Sequence, residues 1–121
     1  MKHVDLLMNV DGVTSLESFA RLLFEVVGAK NFEERESSHY VEGRYFIATT
    51  DVLFYKVMRS DDEDHKDLPY WVRVSAAARN STFESSEIDA LASRLIRSYH
   101  FRVARINNFG QVSEKRFDYA A

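Results

Sequence analysis

Four histidines, one run of acids and a set of arginines are the groups in this sequence that could do chemistry. The imidazoles are His3, His39, His65 and His100. No two of them stand at the H-x-x-x-H spacing that puts two ring nitrogens on one metal, so a zinc site would need residues gathered from distant segments. Residues 61–67, Asp-Asp-Glu-Asp-His-Lys-Asp, have the composition of a hard-cation site. A calcium loop, however, requires glycine at its sixth position and glutamate at its twelfth. Counted from Asp61 these positions hold Lys66 and Val72; counted from Asp62 they hold Asp67 and Arg73. The motif fails in both registers.

Other chemistries fare no better. The chain has no cysteine, which excludes disulfides, thiolate metal sites and a cysteine nucleophile, and fits a reducing compartment. It contains no phosphate-cradling glycine loop and no G-x-S-x-G elbow. Ser85-Ser86 precedes a helical pattern and reads as a cap. A metal-free ribonuclease could be assembled from His39, His100, Arg102 and a tyrosine as acid, base and cation, but that set has no spacing to test. A sequence pI near 5.8 also suits phosphate backbones poorly. The expectation is a protein without catalytic residues, cofactor or metal.

Charge is unevenly spread. Residues 61–67 hold Asp61, Asp62, Glu63, Asp64 and Asp67 against Lys66 alone, a local −4 in a chain of net −3. Residues 94–116 hold Arg94, Arg97, Arg102, Arg105, Lys115 and Arg116 against Glu114, a local +5. Either patch could face a partner of opposite sign, since such fields speed association and select by sign. Arg102 and Arg105 are three apart, so on a strand they point to opposite faces, which weakens a basic stripe for nucleic acid.

The elements that position these groups follow from periodicity. At 121 residues, 45% apolar and 29% charged, the chain is expected to form one domain spanning 1–121. Residues 4–10 alternate and are either a strand or the lead-in to a helix. Thr14 and Glu17 match a capping box ahead of Leu16, Phe19, Ala20, Leu23 and Val27 at helical spacing, with Gly28 as the stop. His39-Tyr40-Val41, residues 44–49, residues 52–59 and a segment opened by Pro69 read as strands. Residues 52–59 are dense in β-formers on both faces, as a central strand would be. Ser86 is the expected cap of a second helix carrying Ile88, Leu91, Ala92, Leu95, Ile96 and Tyr99. A final hairpin turns through Asn107-Asn108-Phe109-Gly110, and its charged last strand suits a sheet edge.

The fold class expected is α+β: a single antiparallel sheet of about five or six strands, with two helices packed on one face. Two helices cover one face only. The other would then carry Tyr45, Tyr55, Trp71 and Arg73, a surface of aromatics amid polar groups suited to contact. The longest apolar stretch, near residues 22–27, is broken by Glu25, and Asp5, Asn9 and Asp11 interrupt the N-terminus. Membrane spans need ~20 apolar residues, so no membrane partner and a cytoplasmic location are expected.

In size, charge and layout the whole chain resembles the small immunity proteins that accompany bacterial polymorphic and contact-dependent toxins. The resemblance is carried by no diagnostic motif and transfers no site residue. It implies a non-enzymatic cytosolic protein that binds and neutralises a cognate toxin domain, often a basic nuclease. On that reading Asp61, Asp62, Glu63, Asp64 and Asp67 mimic phosphate charge, and Tyr45, Tyr55 and Trp71 supply packing. The element order also resembles type III secretion chaperones, though without their last helix. That implies an acidic homodimer holding an extended effector segment.

Overall fold

The computed structural model describes residues 1–120. Its elements are β1 (His3–Asn9), α1 (Leu16–Val27), β2 (Lys30–Glu36), β3 (Arg44–Thr49), β4 (Leu53–Arg59), β5 (Tyr70–Ala76), α2 (Ser85–Tyr99), β6 (Arg102–Asn107) and β7 (Lys115–Asp118). The strands form one sheet in the order β2-β3-β4-β5-β1-β6-β7, antiparallel throughout. The class is α+β as expected, with seven strands rather than five or six.

Residues 4–10 are resolved in favour of a strand. β1 lies in the interior of the sheet between β5 and β6. Val4, Leu6 and Met8 face the helices, while Asp5 and Leu7 face the other side; all five are buried. The extra strand is β2, whose sequence Lys-Asn-Phe-Glu-Glu-Arg-Glu has no apolar alternation. It is an edge strand exposed along its length, with a register shift between Lys30 and Glu33. Such charge and irregularity keep an edge from pairing with strangers. Only Phe32 turns inward, against Phe24 and Phe46 at 5.5 and 5.4 Å between ring centroids. His39-Tyr40-Val41 is not a strand but part of the turn joining β2 to β3. There the Ser37 N–H donates to the Gly43 carbonyl at 2.9 Å. Gly43 takes φ 71°, a conformation that glycine adopts freely.

Both helices pack on one face over a core that includes Leu6, Phe19, Leu23, Val57, Val72, Ile88 and Leu95. The cap of α1 is Ser15, not Thr14: its hydroxyl accepts from Ser18 N–H at 3.1 Å, directly ahead of the first core residue, Leu16. α2 begins two residues earlier than expected. Its cap is Glu84, whose N–H donates to the Glu87 carboxylate at 2.7 Å. Glu87 thus reaches back as a capping-box acid does, which displaces Ser86 from the cap position.

Tyr55 is corrected. It lies on the helix-covered face, 2% exposed, in register with Ala48 and Val74 and within 6.4 Å of the Phe24 ring. The outward side of β4 is set by Lys56, whose ammonium needs water, and the alternation then sends Tyr55 inward.

The second face is not left bare. The segment between β4 and β5 contains a single 3-10 turn, Glu63–His65, and folds back over the sheet. Leu68 from this segment packs with Leu7, Ala104 and Ile106 in a second small core, edged by Trp71 and Phe109.

Candidate functional site

The face away from the helices carries a row of aromatic rings. Tyr45 meets Tyr40 at 5.3 Å, Tyr40 meets Trp71 at 6.2 Å, and Trp71 meets Phe109 at 5.0 Å, all edge to face. That arrangement pairs positive ring edges with negative faces. The Lys56 ammonium sits 4.7 Å from the Tyr45 ring and 5.0 Å from the Tyr40 ring. Tyr40, Tyr45, Trp71 and Phe109 are each half-buried. Tyr45 and Trp71 are therefore where the sequence placed them, and Tyr40 and Phe109 join them from two turns.

Below this row lies a buried carboxylate. Asp5 accepts from the Trp71 indole N–H at 2.8 Å, from Arg73 Nε at 2.9 Å and from Arg73 Nη2 at 3.2 Å. A charge taken out of water needs such partners to be tolerated. The hydrogen bond to Asp5 in turn holds the pKa of Arg73 above its usual value. Asp5 has no sequence signature, because an acid inside an apolar alternation reads as an interruption.

The acidic and basic stretches of the sequence come together. Arg116 Nη2 and Nη1 donate to Asp67 at 2.8 and 3.0 Å, and Arg102 Nη2 donates to it at 2.9 Å. Hydrogen bonding to Arg116 lowers the pKa of Asp67 to about 2. Glu63 pairs with Lys66 at 2.7 Å. Asp62 Oδ1 caps the 3-10 turn, accepting from Asp64 N–H at 2.9 Å. Among the described residues, Asp61 and Asp64 are exposed acids of this segment without an ion-pair partner. Asp67 and Glu63 are committed within the chain, and the segment serves as a clamp as well as a charged surface.

Asp62, His65 and Glu114 bring one ligand atom each within 4.8 Å of one another. The donor set is right for a divalent cation, but the surrounding hydrogen bonds favour one arrangement of the imidazole. His65 Nε2 faces Glu114 Oε2 at 3.0 Å and Asp62 Oδ2 at 3.9 Å, so that nitrogen carries the proton. Arg116 Nη1 approaches Nδ1 at 3.4 Å, so that nitrogen offers a lone pair. A metal on Nε2 would put the proton on Nδ1, against the guanidinium. Glu114 is further held by the Gly110 N–H at 3.0 Å, which with His65 keeps its pKa below the usual value. The residues present fit a hydrogen-bonded tie between the acidic segment and the start of β7 better than a metal.

Two clefts flank the aromatic row. One, of about 440 Å3, is lined by His39, Tyr40, Arg59, Asp61, Asp62 and Trp71, among others, and ends at Phe109. The other, of about 500 Å3, lies on the far side of Phe109, with Asp5, Arg73, His3 and Arg105 in its walls. His100, the left-handed cap of α2, lines a separate cleft with Arg102 and Tyr119. His39 and His100 thus sit in different clefts, and the ribonuclease set is not assembled. Arg94 stands apart again, beside Tyr55 at an apolar groove. Among the described residues no helix is long and apolar enough to cross a membrane. No family model, curated protein or solved structure matches the chain.

Proposed function

We propose that this protein is a cytoplasmic immunity protein that binds and neutralises a toxin domain, probed most simply as a basic nuclease, without performing chemistry itself. The observation that carries the reading is the juxtaposition, at one cleft, of the Tyr40–Trp71–Phe109 edge and the acids Asp61 and Asp62. Half-buried aromatics supply packing area at low entropy cost, and the unpaired carboxylate of Asp61, beside Asp62 at the rim, steers a basic partner. Asp64, exposed on the 3-10 turn, extends that rim. The docking surface on this reading is Asp61, Asp62, Asp64, Tyr45 and Trp71, joined by Tyr40 and Phe109. Tyr55 leaves the set because it is buried, Asp67 is engaged by its fork with Arg116, and Glu63 pairs locally with Lys66.

The test is stopped-flow association with a basic nuclease toxin domain, at two salt concentrations. With Asp61 and Asp64 both changed to lysine, association at low ionic strength should slow by about tenfold, and by less at high salt. Unchanged rates at both salts, with intact folding, would remove this cleft as the docking site. An obligate homodimer that binds an extended secreted segment instead would favour the chaperone reading.

A further inference from the structure

β7 uses one side of its backbone. It pairs with β6 in unbroken register, Ala104 with Asp118 through Asn107 with Lys115, and as the last strand of the sheet it has no described neighbour on its other side. The Tyr119 N–H donates to the Val103 carbonyl at 2.9 Å, one step further along the same register. Antiparallel ladders alternate, so Lys115, Phe117 and Tyr119 turn their backbone groups toward β6, and Arg116 and Asp118 turn theirs outward. Between those two outward residues stands Phe117, which at 58% exposure is the most open large apolar side chain on any described strand. Phe117 pairs with Arg105, and Arg105 with Leu6, so its ring lies on the helix side of the sheet, where it meets Tyr119 edge to face at 5.2 Å.

Charge on an edge strand usually keeps it from pairing. β2, the other edge, follows that rule: residues 33–36 carry three glutamates against one arginine, and its register shifts. β7 differs, because Lys115, Arg116 and Asp118 carry both signs. A second copy can join this edge across a twofold axis only where each side chain stays on its own face of the sheet and the outward groups of Arg116 and Asp118 meet their equivalents. Setting Arg116 opposite itself, or Asp118 opposite itself, stacks like charges. The register between these puts Phe117 on the axis. Arg116 then lies opposite Asp118 of the second copy, the two exchanging backbone hydrogen bonds, and Lys115 lies opposite Tyr119. Phe117 meets its own equivalent at a non-hydrogen-bonded position, where side chains come closest.

We infer that this chain forms a dissociable homodimer through the free edge of β7, continuing the sheet across a twofold axis at Phe117. So short a strand makes a small contact, in the class of weak, transient interfaces. The inference is independent of the docking reading, because no residue of β7 lines that cleft.

Sedimentation velocity from micromolar to millimolar protein should show monomer passing to dimer. Over the same series the amides of Arg116 and Asp118 should gain protection from hydrogen exchange, while those of residues 33–36 on β2 should not. Phe117→Lys sets two ammoniums on the axis at an exposed position and should weaken dimerisation at least about tenfold, whereas Arg21→Gln, on α1, should leave it unchanged. Because the chain has no cysteine, Phe117→Cys provides a second readout. Facing residues on the axis are close enough for a disulfide, so mild oxidation should cross-link two chains, and Glu34→Cys should not do so. The inference is overturned if the parent stays monomeric at millimolar concentration, if Phe117→Lys dimerises as the parent does, or if Phe117→Cys cross-links no faster than Glu34→Cys.

Discussion

Asp67 and Arg116 stand 49 positions apart in sequence and meet in a two-point fork, with Nη1 3.0 Å from Oδ1 and Nη2 2.8 Å from Oδ2. The fork ties the acidic segment before β5 to β7, across the small core of Leu7, Leu68, Ala104 and Ile106. His65 and Glu114 make a second tie between the same two parts of the chain, at 3.0 Å. The most acidic and most basic stretches of the sequence therefore meet at Asp67, which pairs with Arg116 and Arg102, and at His65 with Glu114.

This predicts a defined acid sensitivity. Asp67 falls from its usual 3.8 to about 2 in the folded protein, and Glu114 is shifted downward as well. Depressed carboxylate pKa values contribute stability that is present above the unfolded values and lost as pH falls through the folded ones. The loss should run from about pH 4.5 down to 2. Because Asp67 is partly exposed, its share after solvent screening is about 1 kcal/mol. Urea unfolding of Asp67→Asn across that window should show a flatter pH dependence than the parent. An identical dependence would mean that the fork does not form in solution.

Asp5 should be far less replaceable. Asp5→Asn leaves the guanidinium of Arg73 without its charge partner beside a buried amide. Breaking such a pair from one side costs about 3–5 kcal/mol when fully buried, and about 2–3 kcal/mol here because Arg73 is 41% exposed. The midpoint of chemical unfolding should fall accordingly. Trp71 fluorescence should shift in the folded state, since its indole N–H loses an anionic acceptor. A change under 1 kcal/mol with unshifted emission would contradict the described pairing.

Tyr55 and Tyr45 should separate cleanly. Tyr55→Ala removes a ring at 2% exposure and should destabilise by about 3–5 kcal/mol. Burial also raises its phenol pKa to about 12, so it should resist ionisation in an alkaline absorbance titration until the fold is lost. Tyr45→Ala, half-buried on the aromatic row, should cost about 1 kcal/mol or less in stability and act mainly on partner binding. Equal destabilisation by both would place Tyr45 in the core.

Much of this architecture is readable from local pattern and some is not. The stripes of α1 and α2 and the alternation of β3 and β5 follow directly from side-chain period, because each element buries one face. β1 is ambiguous in sequence because both of its faces are buried, so Leu6-Leu7-Met8 shows no polar alternate. β2 is invisible because its seven residues are held by pairing with β3 rather than by burial. Tyr55 misleads because its strand has apolar residues on both sides, and only Lys56 marks which way is out. The site depends on contacts no local window contains: Asp5 with Arg73 across 68 positions and His65 with Glu114 across 49.

The Asp62–His65–Glu114 group gives the last prediction. A divalent metal would have to displace the proton on His65 Nε2 and move it to Nδ1, which Arg116 Nη1 faces at 3.4 Å. Micromolar zinc should therefore leave the melting temperature of the parent protein unchanged. In Arg116→Gln the guanidinium is gone, and a neutral amide can accept from Nδ1–H. That variant should be less stable without metal, from loss of the Asp67 fork, and should recover part of the difference on adding zinc. Saturable stabilisation of the parent by zinc, lost in His65→Ala, would show that the arginine does not govern the imidazole and that the triad is a metal site after all.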